Sequence, residues 1–583
     1  MKELKYLNKY LLRNKWRLIL GIVFIVIANV FALLPAQLIG KSFDVVTELI
    51  KKPLPFSDLD ISNLKTKLYY FGLIVIGASL AKGFFTFLMR QTIIIVSRFI
   101  EYDLKNEIYS KYQVLSSDFY KKNRTGDLMS RITEDVSHVR MYLGPALMYS
   151  FNLISLIIIV VFNMFRIDWE LTLIVLTPLP LLAYSVYKVS YLINKKSETV
   201  QVYLAKVSTF VQESFSGIRI LKSYGIENNS NIEFNDLSEA YRIKSLSLTK
   251  VNAAFFPTLI LLISISSTLT IYYGGVKVIN NEITPGVIAE FLIYINMLTW
   301  PVATIGWVTS VVQRAEASQK RLNEFLNSDN IIKNHVNYNT EIKGNIEFNN
   351  VSYTYPESGI KALKNINFSV EKGQTLAIMG LTGSGKSTIA NLISRLIEAN
   401  SGEILFDHLH INSINIADLR KSIGYITQES FLFSDTVSNN IAFAATNASQ
   451  EEIIKIAKIV DIHSEIINFP NGYDTKIGER GVTLSGGQKQ RISIARALLA
   501  RPKILIFDDC FSAIDSSTES KILHNLKLLP YKTTIVFITH RISTAKNSDK
   551  IIILNKGEIS EQGTHSQLIT INGFYTKLLH SQQ

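Results

Sequence analysis

The chain changes character near Arg321. Before that residue, apolar positions gather into runs of twenty residues or more; after it, the runs are short and β-branched. Six early runs, approximately 18–39, 68–96, 144–165, 169–193, 251–274 and 285–312, are long enough to cross a bilayer as helices. The third and fourth are separated only by a polar turn around Phe165–Asp168. About fifty residues separate the second from the third and the fourth from the fifth. Both gaps are rich in helix formers. A helix of about 22 residues spans roughly 33 Å, so each gap is expected to be a pair of helical extensions beyond the membrane.

The later half alternates differently. Thr375–Met379, Ile504–Phe507, Thr534–Ile538 and Ile551–Leu554 read as strands, with helical patterns between them. That alternation predicts a parallel α/β sheet. The expected organisation is an all-α six-helix transmembrane domain over 1–326, a polar linker at 327–343, and an α/β domain over 344–583.

Composition supports membrane spans. The 583 residues are 47% hydrophobic and 19% charged, with a net charge of +13. Basic residues flank the spans: Lys2 to Arg17 at the start, Arg98 to Arg140 in the first long gap, Lys195 to Lys222 in the second. This is a positive-inside pattern, weakened by lysines at 41–67. The basic balance therefore needs no nucleic acid to explain it. The only cysteine, Cys510, rules out a disulfide framework within the chain and is expected to serve packing.

The candidate chemistry begins at GLTGSGKS, Gly380–Ser387, between an apolar strand and a helical pattern. This is the context a phosphate loop requires. Gly380, Thr382, Gly383, Ser384, Gly385, Lys386, Ser387 and Thr388 are the candidate nucleotide contacts. Lys386 would reach the β and γ phosphates of ATP, and Ser387 would hold Mg²⁺. Asp508, closing the strand ILIFD, is the second candidate Mg²⁺ ligand.

Between them stands LSGGQ: Leu484, Ser485, Gly486, Gly487 and Gln488. With it the C-terminal half resembles the ATP-binding cassette (ABC) family, which implies that the α/β domain over 344–583 is a P-loop ABC ATPase domain. The resemblance implies further roles: Tyr355 stacks on adenine, Gln428 links Mg²⁺ and water to the membrane domain, Ser512–Asp515 crosses to a partner motor, and His540 contacts the γ-phosphate. TKIGERG, Thr475–Gly481, is similar to a stretch found before the signature in exporters. Phe119–Val136 and Gln212–Glu227 resemble coupling elements. Such motors pair head to tail, each signature completing the partner's site.

One position departs from the family pattern. After Asp508, where Glu is usual, this chain has Asp509. That resembles the degenerate-site subunit of heterodimeric bacterial exporters. The favoured expectation is a heterodimer with a second half-transporter; a homodimer is the alternative. Asp509, His540 and Gln428 are the candidate catalytic residues. The family resemblance implies ATP-driven export of small amphiphiles, drugs or lipids, across the inner (cytoplasmic) membrane, with the motor in the cytoplasm and membrane lipids as neighbours. A homodimeric lipid flippase, a metal-chelate importer, an ATP-gated channel and a regulatory scaffold are the other readings. Lys82 and Arg90 lie within the second span, where a charge is costly and faces an aqueous cavity, a partner or an ion pair. Trp300, Trp307 and Tyr294 could line an aromatic pocket or face lipid.

Overall fold

The computed structural model describes residues 2–52, 57–329, 332–334, 336, 338–445, 447–478, 484–571 and 573–582. It forms two compact units. The first comprises Met1–Gln113 and Arg124–Ser328, the second Val114–Asn123 and Asp329–Gln583.

The first unit is helical. Its long helices are α1 (Lys15–Ile50), α2 (Asp58–Val114), α3 (Thr125–Ile167), α4 (Trp169–Leu176), α5 (Pro178–Ser216), α6 (Glu227–Ile279) and α7 (Pro285–Leu326). At 57 residues, α2 is about 86 Å long, nearly three times the roughly 30 Å of a hydrocarbon core. The expected extensions beyond the membrane are thus continuous with the spans. Among the described residues, α1, α2, α3, α6 and α7 are long and apolar enough to cross a membrane. The fourth expected run, 169–193, differs: it is divided at Thr177 between α4 and α5. Pro178 opens α5, a position where its missing N–H costs nothing, whereas one continuous helix through it would lose a hydrogen bond.

Polar groups fix the helix ends. Asp168 caps α4 by accepting from the Leu171 N–H at 2.8 Å. The same carboxylate holds Lys277 at the end of α6 at 2.7 Å, and Glu170 holds it at 2.8 Å. Asp44 in α1 accepts from the Gly286 N–H at 2.7 Å and from the Thr284 hydroxyl at 2.9 Å, closing the N-terminus of α7. Here α1 and α7 nearly touch backbone to backbone. A Cβ on Gly286 would stand 2.1 Å from the Gly40 carbonyl oxygen, so only glycine fits. Tyr294 is fully buried in the core with Leu33, Val160 and Phe291, and donates to Glu290 at 2.6 Å. It therefore faces neither lipid nor an aromatic pocket. Trp307 packs edge-on against Tyr149. The Trp300 side chain lies outside the described residues.

The second unit carries two sheets. Strands β1 (Ile346–Thr354), β2 (Lys361–Val370), β4 (Ser401–Phe406) and β5 (Leu409–His410) form an antiparallel sheet in the order β2-β1-β4-β5. The other sheet runs β10-β9-β3-β8-β7-β6. Its members are β3 (Thr375–Gly380), β6 (Ile423–Ile426), β7 (Ile504–Asp508), β8 (Thr534–Ile538), β9 (Lys550–Asn555) and β10 (Glu558–Gly563). All pairings in it are parallel except β9 with β10. The central strands β7 and β8 are buried throughout, as a sheet covered on both faces requires. Residues 340–343, part of the expected linker, are tied to the second unit. The Thr340 N–H donates to Asp418 at 2.8 Å, and the Lys343 N–H to Asp407 at 2.6 Å.

Candidate nucleotide site

The site forms at the C-terminal edge of the parallel sheet, where ligands gather in open α/β folds. Strand β3 ends at Gly380, and the helix Lys386–Ile393 begins six residues later. Gly380 and Gly385 have φ of 150° and 104°. A Cβ at either would stand 2.3 Å from the Leu554 carbonyl oxygen or 2.4 Å from that of Ala362. Both conformation and space therefore demand glycine. The loop's N–H groups precede a helix N-terminus, which favours an anion. Among the described residues the buried Ser384 hydroxyl has no hydrogen-bond partner, so the loop holds a polar atom ready for a ligand. Thr388 is buried and its hydroxyl meets that of Tyr355 at 3.0 Å. The Tyr355 ring in turn packs edge-on against Tyr353. Thr382 and Gly383 sit in the turn between strand and helix, Gly383 with φ of 79°.

Lys386 folds back over its own loop. Its ammonium donates to the carbonyls of Gly380 and Leu381 at 3.0 and 2.8 Å. Burial lowers its pKa, against the pull of Asp509 and Asp508. Ser387 donates to Asp508 at 2.9 Å, and Tyr425 donates to the other carboxylate oxygen at 3.1 Å. Burial raises the Asp508 pKa, helped by neighbouring Asp509 and opposed by these two hydroxyls and Lys386. A serine hydroxyl and a carboxylate at this spacing make a hard, all-oxygen donor pair. The described residues hold no cluster of three or more His, Cys, Asp or Glu. That suits a small hard cation that keeps water and phosphate oxygens as its remaining ligands.

Asp509 follows at the strand's end in a left-handed backbone, φ 47°, which aspartate tolerates better than most residues. Its N–H donates to the Ile538 carbonyl at 2.8 Å, which ties it to the end of β8. His540 lies two residues beyond that strand, half-buried. Burial lowers its pKa, Lys386 lowers it further, and Asp509 opposes both. The structure thus brings Lys386, Ser387, Asp508, Asp509 and His540 together. Gln428 stands exposed two residues beyond β6, on the same edge as Asp508 on the adjoining β7.

The signature builds a separate helix terminus. Ser485 caps the helix Gly486–Leu499 in a reciprocal box with Gln488. The Gln488 side chain also donates to Glu465 at 2.8 Å, so it shapes the terminus rather than projecting from it. Gly487 lies against Ala513, where a Cβ would stand 2.9 Å from a carbonyl oxygen. Leu484 and Ser485 stand half-buried and exposed at this tip. In the TKIGERG stretch, the Ile477 N–H donates to Asp435; Glu479, Arg480 and Gly481 lie outside the described residues.

Three supports were not read from the sequence. Tyr425 alternates with the buried Gly424 and Ile426, which could have marked it as facing the other side of the strand, where it is partly buried beside Asp508. Buried Glu519 accepts from Arg541, Ser543 and Thr544, fixing the segment after His540. Gln582 donates to the His540 carbonyl at 2.6 Å and accepts from the Ile542 N–H at 2.9 Å. No local pattern announces these last two. The expected coupling element Phe119–Val136 is divided: its residues 119–123 belong, with the rest of Val114–Asn123, to the motor unit, and Arg124 onward to the first unit. Ser117 donates to the Leu396 carbonyl at 3.1 Å and Lys122 pairs with Glu357 at 3.8 Å.

Known proteins agree with this architecture. Residues 18–302 match the family model described as the ABC transporter transmembrane region, and 363–512 the one described as ABC transporter. The multidrug resistance-like ATP-binding protein MdlA of Buchnera aphidicola subsp. Baizongia pistaciae is 34% identical, over 98% of this chain and 97% of its own. Its namesake in Escherichia coli K12 is 32% identical over 98% and 95%. The ATP-dependent lipid A-core flippase of Syntrophus aciditrophicus is 35% identical over 91% and 88%. A solved bacterial Atm1-family ABC exporter with ATP bound shares the fold, with a TM-score of 0.79 at 23% identity, over 97% of this chain and 99% of that one. With its multi-pass membrane region and an ATPase domain coupled to transport, the chain belongs to the ABC transporter family as an exporter-type half-transporter.

Proposed function

We propose that this chain is one half of a dimeric exporter that moves amphiphilic drugs or lipids across the cytoplasmic membrane, and that its own ATP site hydrolyses weakly. The relatives named for multidrug resistance and lipid A-core flipping support the cargo class. The basic residues around the spans support a cytoplasmic motor, where ATP is found. The chain has one phosphate loop and one LSGGQ, so a cage built from both needs a second motor. The short helix Ile218–Tyr224 and the helix end before it leave Phe215 72% and Tyr224 77% exposed, apolar surface suited to a partner.

In this reading the N–H groups of the loop and Lys386 hold the phosphates, and Tyr355 offers its ring to the adenine. Ser387 and Asp508, with Gln428 nearby, are the residues that would hold Mg²⁺. When bound, that ion supplies positive charge against the β and γ phosphates. His540 faces the γ-phosphate, and Asp509 orients the attacking water. The helix terminus at Leu484–Gln488 offers its serine hydroxyl and glycine amides to the phosphate held by the partner.

Asp509 carries the claim of weak hydrolysis. Aspartate is one methylene shorter than glutamate, which retracts the carboxylate by roughly 1 Å. Such a displacement costs on the order of 100-fold in rate, or about 3 kcal/mol of barrier. Asp509→Glu is expected to raise ATP turnover of the purified chain by up to that factor. Robust turnover of the unmodified chain, unchanged by the substitution, would instead establish a self-sufficient homodimer.

A further inference from the structure

The six apolar runs of the sequence contain three basic side chains, Lys82, Arg90 and Lys188, and two acidic ones, Glu170 and Glu290. Neither acid is free to neutralise the second span. Glu170 pairs with Lys277, and Glu290 accepts from Tyr294. Lys82 stands at the middle of its span, and Arg90 two helical turns further along α2. Among the described residues neither has an ion-pair partner.

Both line one cavity of about 340 Å³ between α1, α2, α3 and α7. Its walls carry amides, Asn152 among them, but no carboxylate. Three of the chain's eight methionines, Met89, Met148 and Met297, line it as well. A cation at the bilayer midplane needs water or a counter-anion, and this cavity supplies polar walls without the anion. Methionine is flexible and polarisable, and adapts to apolar groups of varied shape.

We propose that this cavity selects amphiphiles with an acidic headgroup. Lys82 and Arg90 take the headgroup through charge-assisted hydrogen bonds, and the methionines take the tail. The inference rests on the exporter reading and narrows its cargo to one charge class.

The test uses the full chain with its half-transporter partner, reconstituted into phosphatidylcholine vesicles. ATP turnover is measured as phosphatidylglycerol is added to the bilayer, as taurocholate is added in solution, and as tetraphenylphosphonium is added as a cationic control. Stimulation by either anion but not by the cation supports the proposal. Which anion acts distinguishes a lipid source from a soluble one. Lys82→Gln and Arg90→Gln should each raise the half-maximal anion concentration about tenfold. Lys82→Glu should shift the preference toward the cation. Equal stimulation by both charges, no stimulation above a healthy basal rate, or an anion response untouched by both glutamine variants would overturn it. If a variant does not fold, the charge preference of the unmodified chain decides. Absence of basal turnover from the reconstituted pair would instead count against the exporter reading itself.

Discussion

At the scale of single residues, His540 makes the most direct pH prediction. Burial disfavours its charged form, so the folded chain holds the ring neutral to lower pH than the ordinary value of about 6.5. Its contribution to stability is fully present above pH 6.5 and is lost as pH falls toward the depressed folded value. If the neutral ring serves the γ-phosphate, kcat/KM for ATP should decline only below about pH 6.5. His540→Gln, which cannot titrate, should flatten that limb; an identical acid limb in the variant would assign it to another group. The phosphate loop and Asp508 stood out in the sequence because phosphate and cation chemistry constrains residue type and spacing together, and Asp509 because it departs from the family's usual glutamate. Tyr294 was not, because a tyrosine in an apolar run looks alike whether it faces lipid or reaches a buried acid. Only the position of Glu290 one helical turn away, 2.6 Å from its hydroxyl, settles it.

At the scale of elements, the segment after β8 depends on two distant supports, Glu519 and Gln582. Gln582→Ala removes one hydrogen bond to the His540 carbonyl and one from the Ile542 N–H. Each is worth about 1 kcal/mol. ATP turnover should fall several-fold with little change in ATP affinity, because the phosphate loop is untouched; a loss of affinity with turnover unchanged would place the effect elsewhere. Strands β3, β7, β8 and β9 were read directly from their β-branched runs. The antiparallel sheet was not, and β1 shows why. Its register shifts between Phe348 and Val351, so the buried positions leave strict alternation. The split of the fourth run was likewise hidden. Pro178 sits in an apolar stretch, and hydropathy alone does not register the missing N–H.

At the scale of the molecule, the proposed head-to-tail pairing would make turnover depend on association. In detergent, specific activity of the chain with its partner should fall on dilution through the dissociation constant. Added ATP should counter the fall, since in the proposed pairing it would bind across the shared surface. Activity per chain that stays constant over several decades of dilution would show that one motor suffices. The division into membrane and motor halves was plain from run length alone. The placing of 114–123 within the motor unit was not, because a short segment mixing Leu115, Phe119 and Tyr120 with serines and lysines reads alike whichever unit it packs in.

Cys510 has a consequence for how such motions can be watched. It is the sole thiol, it has no solvent exposure, and burial with nearby Asp509, Asp508 and Glu519 pushes its pKa well above the usual value. Thiolate is the reactive form, so the natural chain should be nearly silent toward maleimides. A cysteine placed at the mouth of the Lys82 cavity or at exposed Tyr224 would then carry a spin label or fluorophore against almost no background, in an otherwise native sequence.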